Sequence, residues 1–205
     1  MKKLIKNGFV VDGSGEKRYK ADVLINGDKI EKIGTIDNVE GAEVIDATGK
    51  IVAPGFIDTH SHSDLKVLIE PFIEPKLRQG ITTEILGQDG ISMAPLPKEF
   101  VSSWRKNLAG LDGDSDLLAW DWETTDKYLD LIAKTGSGPN EMYLVPHGNI
   151  RMEAMGLEAR VATDEELAKM AEAYKMEVEK LKEFMGEAEK KQMKLIWQFR
   201  KLLHS

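Results

Sequence analysis

Three apolar runs in the middle of the chain each end in polar residues, and helix-like segments separate them. The runs cover residues 56–62, 81–86 and 141–145. Strands that alternate with helices typically pair in parallel within one sheet. This pattern limits the central segment to an α/β fold, in which the carboxyl ends of the strands share one edge of the sheet.

The front of the chain has a different pattern. Alternating runs at residues 21–25 and 28–33 flank Asn26-Gly27, a dipeptide typical of tight hairpin turns. Further short strands are expected before and after this hairpin, over residues 4–11 and 43–53. The pattern predicts a small antiparallel β module for residues 1–53, which is too small to bury a core of its own.

The later part of the chain is expected to be mainly helical. Thr163 and Glu166 form a capping box, and apolar residues follow at helical spacing until Gly186. Residues 187–205 are rich in lysine and carry a second apolar stripe. In residues 98–135 the large apolar side chains are expected to cover a core: Trp104, Leu108, Trp120, Trp122, Tyr128, Leu129 and Ile132.

Composition excludes several classes of protein. The net charge of −7 argues against a general nucleic-acid binder, because phosphate binding needs an excess of Lys and Arg. The absence of cysteine excludes disulfides and thiolate metal sites. No apolar run approaches the roughly 18 to 20 residues of a membrane span, and no apolar stretch typical of a signal peptide follows the N-terminus. We therefore expect a cytoplasmic protein.

The strongest candidate site is the pair His60 and His62 at the end of the first central strand. Strand residues two apart point the same way, and two imidazoles on one face suit a divalent metal ion. Asp89 and His147 follow the next two strands and are expected at the same edge of the sheet. A His-x-His pair alone is weak evidence, however, and Asp89 or His147 also fits a plain turn or loop.

Four stretches resemble a known family. Residues 53–62 (APGFIDTHSH) resemble the first barrel strand of the amidohydrolase superfamily. Three later stretches are similar to the D-aminoacylase, or N-acyl-D-amino-acid deacylase, group within that superfamily. They are residues 78–84 with 87–92 (RQGITTE and GQDGIS), residues 145–151 (VPHGNIR) and residues 155–160 (MGLEAR). The resemblance extends from residue 1 to about residue 185.

The resemblance implies a fold and a chemistry. The α/β chain is expected to form an incomplete (β/α)8 TIM-type barrel over residues 54–185, preceded by a small antiparallel β-sandwich module over residues 1–53. The implied reaction is hydrolysis of the N-acyl amide bond of a D-amino acid or a related small molecule. Zinc or another divalent metal, as one or two ions, would activate the attacking water and polarise the amide carbonyl.

The resemblance also assigns roles to residues. His60 and His62 are the implied metal ligands, and Asp89 stands where many members carry a cysteine ligand, so that a carboxylate replaces the thiolate. His147 and Arg151 lie in a stretch that lines the substrate side. Arg151 is a candidate partner for the substrate carboxylate, since a guanidinium group matches a carboxylate with two hydrogen bonds. A structural salt bridge is an equally good interpretation of Arg151.

The last segment departs from the family. Members continue into strands that supply two more histidine ligands and an aspartate general base, whereas residues 186–205 are expected to form a helical tail without family likeness. A full barrel needs about 250 residues. We therefore expect a truncated or frameshifted product with little or no turnover of its own, and the general base stays unassigned. The alternative is a genuine short protein whose tail mediates oligomerisation.

Two other functions stay open. A dihydroorotase-like or hydantoinase-like amidohydrolase would share the first strand, but it depends on a later carboxylated lysine, and residues 88–90 favour the deacylase. The second alternative hypothesis is a non-catalytic interaction module, with residues 163–205 as a helical arm. Exposed strand edges or the C-terminal helix could then support a homo-oligomer. No nucleic-acid or membrane partner is expected.

Overall fold

The computed structural model describes residues 1–189 of the chain. It divides into two compact units, one built on Met1–Pro54 and the other on Gly55–Gly186. Most of the expected helical tail, residues 190–205, lies outside the described residues. Within the described part, no helix is both long and apolar enough to cross a membrane.

The first unit contains one five-stranded sheet. Its strands are β1 (Lys2–Val10), β2 (Tyr19–Asn26), β3 (Lys29–Gly34), β4 (Ala42–Asp46) and β5 (Ile51–Val52). The order is β3-β2-β1-β4, and β5 also pairs with β1. One apolar cluster contains Leu4, Leu24 and Ile36, and a second contains Val10, Ala21 and Val23.

The predicted hairpin is confirmed, but its turn is shifted by one residue. β2 and β3 pair antiparallel, and Asn26 pairs with Lys29, so the turn residues are Gly27 and Asp28. Gly27 has a φ of +63°, a conformation that glycine adopts without a steric penalty. The two-residue turn therefore places its glycine at the first turn position, as in type II′ turns.

The expectation of a wholly antiparallel module is wrong, because β4 and β5 both run parallel to β1. The cause is the connection between β3 and β4, which brings the chain back across the sheet to the far side of β1. In this connection Ile36 is 6% exposed and packs with Leu4 and Leu24. Burial of this side chain favours the crossover, and a crossover is what parallel neighbours require.

The second unit is built on a parallel sheet with the order β6-β7-β8. Its strands are β6 (Phe56–Asp58), β7 (Ile81–Leu86) and β8 (Asn140–Tyr143). The helices are α1 (Lys66–Ile69), α2 (Glu74–Leu77), α3 (Val101–Leu108), α4 (Thr125–Thr135), α5 (His147–Met155) and α6 (Asp164–Glu189). The predicted alternation of parallel strands and helices is confirmed.

Aromatic side chains form the core of this unit and also hold the loops that follow the strands. The seven large side chains expected in the core are all buried. The indole N–H of Trp104 donates to the Ser92 carbonyl (2.7 Å), and that of Trp122 donates to the Met93 carbonyl (2.9 Å). The Tyr128 hydroxyl donates to the Asp64 carbonyl (2.6 Å). The core therefore fixes the backbone on the carboxyl side of β6 and β7.

Helix α6 begins with the predicted capping box and also caps a neighbouring helix. Glu166 N donates to Thr163 Oγ1 (3.2 Å), and Thr163 N donates to Glu166 Oε2 (2.8 Å), which confirms the box. One face of α6 presents the buried Glu177, whose Oε2 accepts a hydrogen bond from Thr125 N (2.9 Å) at the start of α4. This carboxylate satisfies an otherwise free amide and complements the helix dipole.

Replacement of this carboxylate tests its contribution to stability. We expect Glu177→Ala to lower the free energy of unfolding by about 1–2 kcal/mol, since an amide at the start of α4 loses its acceptor. Denaturant unfolding measures the change. The matched control is Glu172→Ala on the same helix, where the exposed carboxylate forms an ion pair with Lys175 and should contribute less than about 0.5 kcal/mol. Equal effects of the two substitutions would contradict the capping role.

Candidate metal centre

The two histidines lie in the segment that follows β6, because the strand ends at Asp58. The expectation that His60 and His62 sit on the strand itself is therefore wrong. The chain bends at Thr59 and His60, and Ser61 N then donates to the Ile85 carbonyl of β7 (3.3 Å), which keeps the segment beside β7. Ser61 is buried, whereas His60 is exposed, so the side chains still alternate past the end of the strand. This alternation leaves both rings on one side.

Asp89 follows β7 in a tight 3₁₀ turn, Gln88–Gly90. Its φ of +56° lies in the left-handed region, which is uncommon for a residue other than glycine but is tolerated best by Asn and Asp. Gly87 on one side and Gly90 on the other also have positive φ values. These left-handed conformations bend the chain sharply after β7 and place the Asp89 carboxylate beyond the end of the strand.

Close backbone contacts hold this turn against the residues that follow β8. A Cβ atom on Gly87 would lie 2.2 Å from the Leu144 carbonyl oxygen, and one on Gly148 would lie 2.7 Å from the Gly90 carbonyl oxygen. Only glycine fits at either position without displacing the backbone. The glycines in the stretches GQDGIS and PHGN therefore have a packing role beside Asp89.

His60, His62 and Asp89 converge on one point. Asp89 Oδ2 lies 3.3 Å from His60 Nε2 and 3.2 Å from His62 Nε2, and one ligand atom from each residue lies within 4.8 Å of the others. Ligands at 2.0–2.2 Å around a tetrahedral zinc ion are separated by about 3.4 Å. Two imidazole nitrogens and a carboxylate oxygen at these separations fit a divalent ion of the zinc type.

The cluster is open on one side. The side chains of His60 and Asp89 are 58% and 60% exposed, whereas that of His62 is only 19% exposed. A catalytic metal site keeps a coordination position free for water or substrate, while a structural site is closed by protein ligands. This arrangement therefore fits the catalytic type.

The opposite edge of the His62 ring faces a second, buried group of acids that sequence reasoning missed. His62 Nδ1 lies 3.8 Å from Asp112 Oδ1, and it forms a second ligand-type cluster with Asp64 and Asp112. Asp64 repeats the two-residue spacing of the histidines and could have been suspected from it. Asp112 follows α3 in an acidic loop, where nothing in the sequence distinguishes it from its neighbours.

Burial perturbs both of these carboxyl groups. It raises the pKa of Asp112 to about 7 and that of Asp64 to about 6. Asp64 Oδ1 accepts hydrogen bonds from Gly87 N (2.9 Å) and from the Ser92 hydroxyl. Within the described residues, Asp64 Oδ2 and both Asp112 oxygens have no hydrogen-bond partner. Uncompensated buried polar atoms of this kind are costly and are typical of functional sites.

A row of three acids crosses the sheet just before the site. Asp58, Glu84 and Glu141 occupy paired positions on β6, β7 and β8. The Lys76 ammonium group donates to Asp58 Oδ2 (3.0 Å) and to the fully buried Glu84. Asp58 is held by this ion pair, and burial raises the pKa of Glu141 to about 8.

The other two residues singled out by the sequence lie beside the cluster. His147 is the exposed first residue of α5, and it lines a groove with Val145, Ile150, Met170, Ala171 and Tyr174. Arg151 Nη2 donates to the main-chain carbonyls of Glu158 (2.9 Å) and Arg160 (2.5 Å). Neither residue belongs to the ligand-type clusters found among the described residues. Their roles toward a substrate stay predictions.

A sequence profile of the amidohydrolase family matches residues 43–199, which is more than half of the chain. This chain belongs to the amidohydrolase family. The match extends past residue 185, where the motif resemblance was expected to end.

Two curated relatives, both from Alcaligenes xylosoxydans xylosoxydans, indicate which group of the amidohydrolase family this chain resembles. A D-aminoacylase is 35% identical over 167 residues, which cover 82% of this chain and 33% of the relative. An N-acyl-D-glutamate deacylase is 41% identical over 152 residues, which cover 74% of this chain and 30% of the relative. The predicted resemblance to the D-aminoacylase group is confirmed. The chain spans about one third of the length of these relatives.

A solved structure supports the fold. The N-acyl-D-glutamate deacylase of Bordetella bronchiseptica, complexed with zinc and a phosphonate mimic of the tetrahedral intermediate, superposes with a TM-score of 0.73 and 32% identity. The match covers 86% of this chain and 36% of that one. Over the matched part, the mixed α/β fold of this amidohydrolase is therefore similar to that of the deacylase structure. The predicted metal dependence of this family is confirmed, since the deacylase structure is a zinc complex.

The pKa of Glu141 predicts a pH effect on stability. An unfolded carboxyl group titrates near 4.5, and the folded group titrates near 8, so the folded state binds the proton more tightly. Stability is then lost as the pH rises from about 4.5 to 8. Glu141→Gln removes this loss. Between pH 5 and pH 8, its melting temperature should rise relative to the wild type by an amount on the order of 10 °C. The shift corresponds to a loss of about 3–4 kcal/mol over this pH range, and each kcal/mol changes the melting temperature of a chain of this size by about 2–4 °C.

Thermal unfolding followed by circular dichroism at several pH values measures this difference. Glu99→Gln is the control, because Glu99 is exposed to solvent. A melting-temperature difference between Glu141→Gln and wild type that stays constant from pH 5 to pH 8 would show that the Glu141 carboxyl group is not buried as described.

Proposed function

We propose that this chain forms the metal-binding front part of a metal-dependent hydrolase that acts on the N-acyl amide bond of a D-amino acid or a related compound. The observation that carries the proposal is the convergence of His60, His62 and Asp89, which come from segments after two neighbouring parallel strands. Its second support is the similarity to D-aminoacylase and N-acyl-D-glutamate deacylase over most of the chain.

The proposed roles follow from the donor atoms. His60 and His62 would hold a divalent ion through their Nε2 atoms, and Asp89 would hold it through Oδ2. A carboxylate can also bridge two metal ions, so the same residue serves a site with one ion or with two. Such an ion supplies a Lewis acid for the amide carbonyl and lowers the pKa of water. The exposed faces of His60 and Asp89 leave room for the substrate amide.

The proposed architecture extends the observed parallel sheet into a (β/α)8 barrel, with residues 1–53 as a β-sandwich module and residues 54–185 as the first part of the barrel. Its support is the apolar surface on the two outer strands, where Phe56, Ile57 and Met142 are 63%, 50% and 40% exposed. Additional strands would pair with the two outer strands, and the closed barrel with its helices would cover these side chains. Because the further ligands and the general base of that architecture come from later strands, we propose that this chain alone has little or no turnover.

The proposed substrate contacts are His147 and Arg151, which both lie on α5. His147 lines a groove at the carboxyl edge of the sheet, next to the Asp89 turn, which suits a place beside the substrate. Arg151 would have to release one of its carbonyl partners before that amino group could bind a substrate carboxylate. The present hydrogen bonds favour the structural interpretation of Arg151.

Metal content tests the proposal. The wild type, His60→Ala and Asp89→Ala are equilibrated with zinc, dialysed and analysed by elemental mass spectrometry, while circular dichroism confirms that each is folded. We expect zinc to bind the wild type, and each substitution to weaken binding at least about 100-fold, because loss of a ligand should exceed the 10–100-fold effect of an outer-sphere partner. His147→Ala is the matched control, since it removes a histidine outside the cluster.

Equal zinc content in the wild type and in both ligand variants would contradict the proposed site. A wild type that retains no zinc after dialysis would contradict metal binding by this chain, whatever its family.

A further inference from the structure

The buried acids behind His62 have no role in the metal site described so far. His62 Nδ1 and both Asp112 oxygens are buried without a hydrogen-bond partner in the described part of the chain. The Asp112 side chain is 1% exposed and its Oδ1 lies 3.8 Å from His62 Nδ1. Two buried groups without hydrogen-bond partners thus face each other across a short gap.

The chemistry of the imidazole ring links this gap to the metal site. A neutral imidazole has one lone pair and one N–H, so only one of its nitrogens can bind a metal ion. At His62 the Nε2 atom faces Asp89 and lies on the side of His60. If Nε2 binds the ion, the proton must reside on Nδ1, and a buried Nδ1–H needs an acceptor.

Resting on the proposed function, we infer that Asp112 is a positioning residue of the metal centre, which accepts the Nδ1–H of His62 and so directs the Nε2 lone pair to the ion. Metal-binding histidines commonly donate their second nitrogen to a carboxylate in this way. The 3.8 Å separation is longer than a hydrogen bond and would shorten by a small rotation of the ring when the ion binds.

Asp112 suits this role better than its neighbour Asp64. Asp64 Oδ1 already accepts hydrogen bonds from Gly87 N and from the Ser92 hydroxyl, which fix its carboxyl group against β7. Asp112 has both oxygens available, and its backbone is held by the hydrogen bond from Asp112 N to the Leu108 carbonyl (2.9 Å). Asp64 therefore serves to connect the segment after β6 to the residues that follow β7, and Asp112 supplies the acceptor for the Nδ1–H of His62.

The inference predicts a tautomer that can be measured in the wild type. Long-range ¹⁵N–¹H correlation spectra of the zinc-loaded, ¹⁵N-histidine-labelled protein distinguish a protonated nitrogen from a ligating one. We expect His62 to carry its proton on Nδ1 and to ligate through Nε2. The His62 signals are assigned by their loss in His62→Gln. A protonated Nε2 would overturn the inference, and this measurement does not depend on the folding of any Asp112 variant.

Zinc affinity gives the second readout. Competition with a chromophoric chelator should show affinity reduced about 10–100-fold in Asp112→Ala and by a smaller factor in Asp112→Asn, which keeps an acceptor oxygen. Asp121→Asn, an exposed carboxyl in the same part of the chain, is the matched control and should bind zinc as the wild type does.

The possible outcomes distinguish failure of the positioning role of Asp112 from failure of the proposed function. If zinc binding depends on His60 but is unchanged in folded Asp112→Ala, the positioning role fails and the proposed function stands. If the wild type binds no zinc, the proposed function fails and the positioning role fails with it. If Asp112→Asn lowers the zinc stoichiometry by one ion and His62 is protonated on Nε2, the buried cluster is itself a metal site, which also overturns the inference.

Discussion

The parallel register of β6, β7 and β8 is the constraint on which the site depends. Because the three strands run the same way and pair in register, the segments that follow them begin at one edge of the sheet. The approach of Gly87 to the Leu144 carbonyl then fixes the Asp89 turn at that edge. Two histidines and a carboxylate, separated by 27 to 29 residues in sequence, meet there within hydrogen-bonding distance.

This edge also concentrates negative charge. The buried carboxyl groups include Glu84, Asp64 and Asp112, and Lys76 is the cation that pairs with the first of them. Burial of unpaired carboxylates opposes folding, since each loses its hydration without a compensating partner. A divalent ion bound by His62 and its partners would place positive charge beside Asp64 and Asp112. The buried carboxylates therefore lower the stability of the metal-free fold, and their negative charge favours the binding of a cation.

Sequence patterns predicted the central elements well where a single physical rule decides them. β7 begins and ends as predicted, the aromatic core is buried as expected, and the Thr163 capping box is formed. The parallel position of β4 depends on a crossover stabilised by Ile36, a tertiary contact that alternation along the chain does not encode. Asp112 was missed for the same reason, because its environment is made by α3 and by the segment after β6, which are distant in sequence.

The proposed metal centre requires His60 and His62 to bind a metal ion through imidazole nitrogen. X-ray absorption at the zinc edge of the zinc-loaded protein detects such ligands. We expect a first shell of nitrogen and oxygen at about 2.0–2.2 Å with outer-shell scattering from two imidazole rings, reduced to one ring in His62→Ala. A shell without imidazole scattering, or a spectrum that His62→Ala leaves unchanged, would contradict it.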